Sequence, residues 1–399
     1  MTEPHHATHH ETHQTTHHAP AAVLPAAPHR LLSLDVLRGI TIAFMIMVNN
    51  NGDGHWAWSF MKHADWNGMT ATDLVFPTFL FVVGASIVFA FEARLARGAT
   101  RAQLAVQVLR RAVILFLLGL VVNGFPHFPL ATLRIYGVLQ RIAICYLLVG
   151  LFYLWDRRPL TKLLVALAAL VGYWLMMTHV PVPGFGMPGR DFPILDKNIN
   201  LVAWLDRHIF PGRLYEGVRD PEGLLSDLPA LATTLLGVLA GQWLRTVHTK
   251  AQKAEGLLGA AVLSFALGML WAVWFPLNKK LWTSSYVLAA AGISAGVWAL
   301  LYWMIECKGW RGRWTWAWVV LGSNAIAAYM ISELLPGAVG LIPVTVAGRR
   351  SDALRWAFVH LFSRIPPPGL GCFAYSTGFL VVCFLPVWWM YRRRIFLKV

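Results

Sequence analysis

The chain has 399 residues, of which 57% are hydrophobic and only 13% charged, about half the charge of a soluble protein. With a mean hydropathy of +0.54, this excludes a water-soluble globular domain and points to an all-α, polytopic membrane protein. The formal charge of +15 is read as Lys and Arg gathered in cytoplasmic loops, and nucleic acid is excluded as a partner because no basic run is arranged to follow a phosphate backbone.

Residues 1–30 read as a disordered tail. Eight histidines (His5, His6, His9, His10, His13, His17, His18 and His29) sit among Thr, Ala and Pro, and nothing there can build a core. Their irregular spacing argues for adventitious metal binding at most. The tail lacks the basic start and cleavage site of a signal peptide. Residues 31–399 are expected to form a single transmembrane domain.

The first span runs over about 34–48 and opens on Ser33-Leu-Asp-Val-Leu-Arg-Gly39. Ser33 or Asp35 suits a helix start, and Asp35 and Arg38, three apart, can pair on one face. Nine further spans are expected at 73–92, 105–123, 134–154, 162–180, 228–244, 256–275, 282–305, 315–335 and 371–391. Each is long enough to cross the hydrocarbon layer as a helix. The short connections sort by charge. Arg94, Arg97 and Arg101, then Arg157, Arg158 and Lys162, Arg245, Lys250 and Lys253, and Lys308, Arg311 and Arg313 fall on one side, with Arg392–Arg394 at the end of the chain. By the positive-inside rule that side, with both termini, is cytoplasmic.

Two long segments, 181–227 and 336–370, belong to the outer side, and loops of this length are usually functional covers or linkers. The first suits a lid, because Phe185, Phe192, Trp204, Phe210 and Tyr215 can pack it down. No internal repeat is visible, so the inverted halves of a transporter are not indicated. The four cysteines are scattered and form no CxxC pair, which indicates neither a zinc site nor a disulfide framework.

The stretch between the first two spans holds Asn49, Asn50, Asn51, Asp53, His55, Lys62, His63, Asp65, Asn67, Thr70, Thr72 and Asp73, interleaved with Trp56, Trp58, Phe60, Trp66 and Phe76. So many aromatics suggest a packed, partly dehydrated loop at the interface, where a histidine can be a proton-transfer group. Asp65 or Asp73 can orient that imidazole, and Asp73 also suits a helix cap.

Several stretches together resemble the heparan-α-glucosaminide N-acetyltransferase family of transmembrane acyltransferases and its bacterial relatives. They are Ser33-Leu-Asp-Val-Leu-Arg-Gly39, Met47-Val-Asn49, Lys62-His-Ala-Asp-Trp-Asn-Gly68, Thr72-Asp-Leu-Val-Phe-Pro77 and Arg134-Ile-Tyr-Gly-Val-Leu-Gln-Arg141. Asp220-Pro-Glu-Gly223, Pro276-Leu-Asn-Lys-Lys-Leu-Trp-Thr-Ser-Ser-Tyr286, Ser323-Asn324, Glu333 and Arg394-Ile-Phe-Leu-Lys398 follow in matching order over about 31–399. The resemblance implies transfer of an acetyl group from cytoplasmic acetyl-CoA to an amino sugar across the membrane, with His63 catalytic and Asn49 catalytically important. More residues separate His63 from Asn49 than in the animal enzyme, and no counterpart of its lumenal N-terminal domain is present. A bacterial inner membrane and an acceptor other than heparan sulfate are therefore expected.

The residue types agree with that chemistry. An attacking amine must lose a proton, and imidazole accepts one near neutral pH. An Asn49 amide can stabilise the oxyanion, and His63 can alternatively accept the acetyl group itself. Arg134 and Arg141, seven apart on one helix face with Gln140 beside them, are expected with Arg38 at the acetyl-CoA phosphates; a buried ion pair with Glu333 or another acid is the competing reading. Glu222, Asn278, Lys279 and Trp282, with Asn324 and Glu333, are expected on the sugar, Trp282 as a stacking ring or else an interfacial anchor. No metal is expected. Acetyl-CoA, a sugar acceptor and the lipid bilayer are the expected partners, and a homodimer is admitted. The rival function is a transporter for a sugar or other small solute without acyl transfer.

Overall fold

The structure, a computed structural model, describes residues 31–209, 212–346 and 349–397, so the expected tail at 1–30 lies outside the described residues. Helices make up about two thirds of the described residues, and each expected span is met by a helix. In chain order these are α1 (Leu32–Asn49), α2 (Val75–Leu95), α3 (Arg101–Gly124), α4 (Val138–Trp155), α5 (Pro159–His179) and α7 (Asp227–Leu244), with short α6 (Leu201–Ile209) before α7. Then come α8 (Lys250–Trp271), α9 (Ser284–Tyr302), α10 (Arg313–Ser323), α11 (Ala325–Gly340), the short α12 (Ala353–Ala357) and α13 (Pro368–Arg392). Among the described residues eight helices are long and apolar enough to cross a membrane, or nine with α10 and α11 taken as one bent span. The protein is an all-α polytopic membrane protein.

Three elements depart from the expectation. The span at 315–335 is broken at Asn324, where α10 and α11 meet at 73°. The span at 134–154 begins only at Val138, so Arg134 lies ahead of the helix and the seven-residue spacing does not put both arginines on one face. The two long segments, 181–227 and 336–370, also carry structure of their own. The first holds α6, capped by Asn200, whose Oδ1 accepts the Ala203 N–H at 3.0 Å. The second holds a hairpin of β1 (Pro343–Val346) and β2 (Arg349–Asp352), with Pro343 opposite Asp352.

Sequence chemistry explains the helix ends and the contacts. Thr100 with Gln103 and Thr249 with Gln252 form reciprocal capping boxes that start α3 and α8. Helix α7 carries buried Thr233 and Thr234 and packs against α2, α4, α5, α8 and α9. Its approach to α2 is backbone to backbone. A Cβ at Gly84 would stand 1.9 Å from the Thr234 carbonyl oxygen, and one at Gly237 would stand 2.0 Å from that of Phe81. Small residues permit such contact, as is usual between membrane helices.

Contacts between the connections join the α1–α2 stretch, the α5–α7 segment and the α8–α9 loop at one end of the helices. The Gly68 N–H donates to the Leu277 carbonyl at 2.8 Å, the Trp66 indole N–H to the Leu195 carbonyl at 2.7 Å, and Lys280 pairs with Glu216 at 2.9 Å. At the opposite end the Ser33 N–H donates to Glu306 at 3.2 Å, and Gln242 donates to the Arg157 carbonyl at 2.7 Å.

Candidate active site

The loop after α1 folds around one carboxylate. The Oδ2 of Asp73 accepts the backbone N–H of Ala64 at 3.1 Å and of Thr70 at 2.9 Å, while the Thr70 hydroxyl donates to the Lys62 carbonyl at 2.6 Å. The Oδ1 of Asp73 lies 2.6 Å from His63 Nδ1. The Tyr286 hydroxyl, on α9, donates to the Asp73 carbonyl at 2.5 Å. The Asp73 side chain is 1% exposed and the His63 side chain 45%. A buried, fixed acid thus holds a ring whose other edge is open. An ionised carboxylate only accepts, so Nδ1 carries the proton and Nε2 is left as the base. Of the two acids considered for this task, Asp73 meets the ring and Asp65 is exposed. The capping reading of Asp73 does not hold: the N–H groups that its Oδ2 accepts lie ahead of it in the chain, and neither the Thr72–Leu74 turn nor α2 starts on a side-chain cap.

Asn49 closes α1 and is exposed, its Nδ2 donating to Glu333 Oε1 on α11 at 3.1 Å. Glu333 therefore meets Asn49 rather than standing free. Asn324 lies apart from it, nine residues earlier in the chain, about 14 Å of helical rise. Its amide donates to the Ile395 carbonyl at 3.0 Å and accepts the Leu397 N–H at 3.1 Å, which pins the end of the chain to the α10–α11 break. Its neighbours are thus backbone groups, and the expected grouping of Asn324 with Glu333 does not occur.

Beside the loop lies a buried network of charge. Arg134 grips Asp220 with two bonds, Nε to Oδ2 at 2.7 Å and Nη2 to Oδ1 at 2.6 Å, and reaches Glu222 at 2.5 Å. Arg141, fully buried, bonds Asp227 at 2.7 Å, the Gly223 carbonyl at 3.0 Å and the Ser226 hydroxyl, and lies 5.0 Å over the Trp282 ring. Burial alone would lower the pKa of Arg134, but Asp220 and Glu222 raise it. Burial pushes the Glu222 carboxyl up, and the charges of Lys279, Arg134 and Arg141 outweigh this and hold it below the usual range. Both arginines expected at the donor phosphates are thus engaged by carboxylates, and the competing ion-pair reading holds with Asp220, Glu222 and Asp227 as the acids instead of Glu333. Gln140 is buried against Gly119 and Gly137. Arg38 bonds Asp35 at 3.1 Å, Ser86 at 2.7 Å and the Gly322 carbonyl at 3.2 Å, tying α1 to α2 and α10.

Among the expected sugar contacts, Lys279 is half-buried and close enough to Glu222 to act on its charge. Asn278 is buried and shapes its own turn, accepting the Leu281 N–H at 2.9 Å and donating to Asn67 at 3.2 Å. Trp282 is 0% exposed. Its positive φ of 56° accompanies a ring set between Phe76 and Tyr286, with its N–H on Thr233 at 3.1 Å. It has no open face for a sugar and does not reach the interface, so both readings of Trp282 give way to core packing.

Asp206 is the residue that sequence reasoning missed. It is buried on α6, and its Oδ2 accepts the Asp220 N–H at 2.9 Å. Burial, with the charge of Asp220 adding to it, pushes its carboxyl up to about 7 against the pull of that N–H. Its segment reads as loop, and only the neighbouring Asp220-Pro-Glu-Gly223 gave a signal. Among the described residues no group of three or more His, Cys, Asp or Glu is placed to hold a metal.

Residues 30–269 match the sequence profile described as heparan-alpha-glucosaminide N-acetyltransferase, catalytic. That range contains Asn49, His63, Asp73, Arg134, Arg141 and Glu222. The chain is also similar to the heparan-alpha-glucosaminide N-acetyltransferases of Homo sapiens and Mus musculus, 29% identical to each over 365 residues. Each alignment covers 78% of this chain and 54% of the relative, so the chain spans about half the length of the curated relatives it matches. The profile covers more than half of the chain, and with the ordered motifs around His63 it shows that the chain belongs to the heparan-alpha-glucosaminide N-acetyltransferase catalytic family.

Proposed function

We propose that the protein is a transmembrane N-acetyltransferase. It passes an acetyl group from acetyl-CoA, bound from the arginine-rich cytoplasmic side, to an amino sugar on the far side of a bacterial inner membrane. The observation that carries this reading is the His63–Asp73 pair, a half-exposed imidazole held at 2.6 Å by a buried acid. The names of the human and mouse relatives, both heparan-alpha-glucosaminide N-acetyltransferases, support the acetyl and amino-sugar halves.

In this mechanism His63 Nε2 takes a proton from the acceptor amine as its nitrogen attacks the thioester carbonyl. The C–N bond forms, the C–S bond breaks, and the proton passes to the departing thiolate. Asp73 keeps Nδ1 protonated and stabilises the imidazolium. The Asn49 amide has two N–H groups. Glu333 holds one, and the other donates to the developing oxyanion. Lys279 and Glu222 lie at the acceptor's hydroxyls.

The test uses purified protein with acetyl-CoA and glucosamine. The wild type is expected to form N-acetylglucosamine, and acetyl-CoA, unlike plain sugar, is expected to raise its melting temperature. His63→Ala is expected to abolish transfer and keep the acetyl-CoA shift. Transfer at the wild-type rate by His63→Ala would overturn the catalytic assignment. Stabilisation by sugar alone, with no transfer, would favour a transporter.

A further inference from the structure

At the end of the helices opposite His63, a groove of about 740 Å³ is lined by Trp316 of α10, by Trp388, Tyr391 and Arg392 of α13, and by Arg394 and Phe396 of the segment that follows. Its shape is built rather than incidental. Asn324, 1% exposed, clamps the backbone of Ile395 and Leu397 from both sides. Arg394 takes a left-handed φ of 56°, where the chain leaves α13, and the Phe396 ring then lies 6.0 Å from that of Tyr391. The Arg392 guanidinium lies 5.1 Å over the Trp388 ring. Among the described residues no carboxylate pairs with Arg392 or Arg394, whereas Arg134 and Arg141 are each held by acids. Two exposed guanidiniums with no carboxylate partner thus stand in an aromatic groove, open to an anion.

We infer that this groove binds the phosphate of an anionic membrane phospholipid, with its glycerol and first methylenes lying on the aromatic walls. Guanidinium forks match phosphate oxygens, tryptophans settle at the level of the headgroups, and basic pockets between membrane helices hold anionic headgroups. The groove also joins α10 and α13 beside the 73° break, so an occupying headgroup would brace that joint. The same chemistry could serve a nucleotide phosphate from solution, and the experiment separates the two sources.

The protein is reconstituted in phosphatidylcholine nanodiscs carrying graded phosphatidylglycerol, and retained lipid is read by native mass spectrometry alongside the melting temperature. Wild type is expected to retain phosphatidylglycerol in preference to phosphatidylcholine and to melt higher with it. The Arg392→Gln/Arg394→Gln variant is expected to bind about 30-fold more weakly, on the scale of roughly 1 kcal/mol per arginine at an anionic surface. Arg393→Gln removes a charge at the same end without lining the groove and should bind as the wild type does. Equal retention of both lipids, or an equal loss in Arg393→Gln, would overturn the site. Displacement of phosphatidylglycerol from the wild type by free CoA would overturn the lipid assignment in favour of a soluble phosphate.

Discussion

Asp206→Asn isolates the protonation of the buried charge network formed by the α5–α7 segment. Burial pushes the Asp206 carboxyl up to about 7, against 3.8 for a free aspartate. A carboxyl whose pKa is raised on folding is better tolerated protonated, so its contribution to stability falls as pH rises from the unfolded value through the folded one. At 1.36 kcal/mol per unit, the whole penalty is about 4 kcal/mol, of which about 2 kcal/mol accrues between roughly pH 5.5 and 8. Asparagine keeps the acceptor for the Asp220 N–H, but its amide N–H meets Gly223 without a partner, a pH-independent cost of about 1–3 kcal/mol. The slope therefore carries the prediction. Amide exchange over residues 212–227, corrected for intrinsic rates, measures local opening. It should show opening of the wild-type segment becoming easier by about 2 kcal/mol from pH 5.5 to 8, and a flat profile in Asp206→Asn. Parallel profiles would refute the reasoning.

Asp73→Asn would offer an N–H to Nδ1 and move the ring proton to Nε2; kcat should fall by about 10²–10⁴, read in single-turnover assays with acetyl-CoA saturating. Arg141→Ala leaves Asp227 buried without its partner and should lower stability by about 3–5 kcal/mol. A raised KM for acetyl-CoA with unchanged melting would restore Arg141 to the donor site. Trp282→Ala empties a site enclosed by Phe76, Tyr286 and Arg141 and should cost about 3–5 kcal/mol. A selective rise in acceptor KM at constant stability would contradict its place in the core.

The spans were legible because an apolar run of about 20 residues has few alternatives in a bilayer. The break at Asn324 was not, because Ser323-Asn324 lies inside an apolar run with no proline. Its cause is tertiary, the clamp on Ile395 and Leu397. Arg134 looked helical, although Gly137 just ahead of Val138 marked the true start. His63 stood out by composition and motif, but its pairing with Asp73 comes from a loop closure without periodicity, sealed by Thr70 and Lys62. Trp282 beside Lys279 and Lys280 reads as interfacial, and only its positive φ and packing turn it inward. Asp206 had no local signal, since its burial depends on a segment folding back over it.

Helix α7 has a consequence for how the protein is made. Its Thr233 and Thr234 hydroxyls donate to the Pro229 and Ala230 carbonyls one turn back, but it also carries Asp227 and Gln242, groups that lipid tails do not satisfy. Its neighbours do so instead, Arg141 of α4 taking Asp227 and Arg157, after α4, accepting from Gln242. As the nascent chain leaves the translocon, α7 is therefore expected to wait for company: a reporter carrying α7 alone should insert poorly, and one that also carries α2 through α5 should insert well.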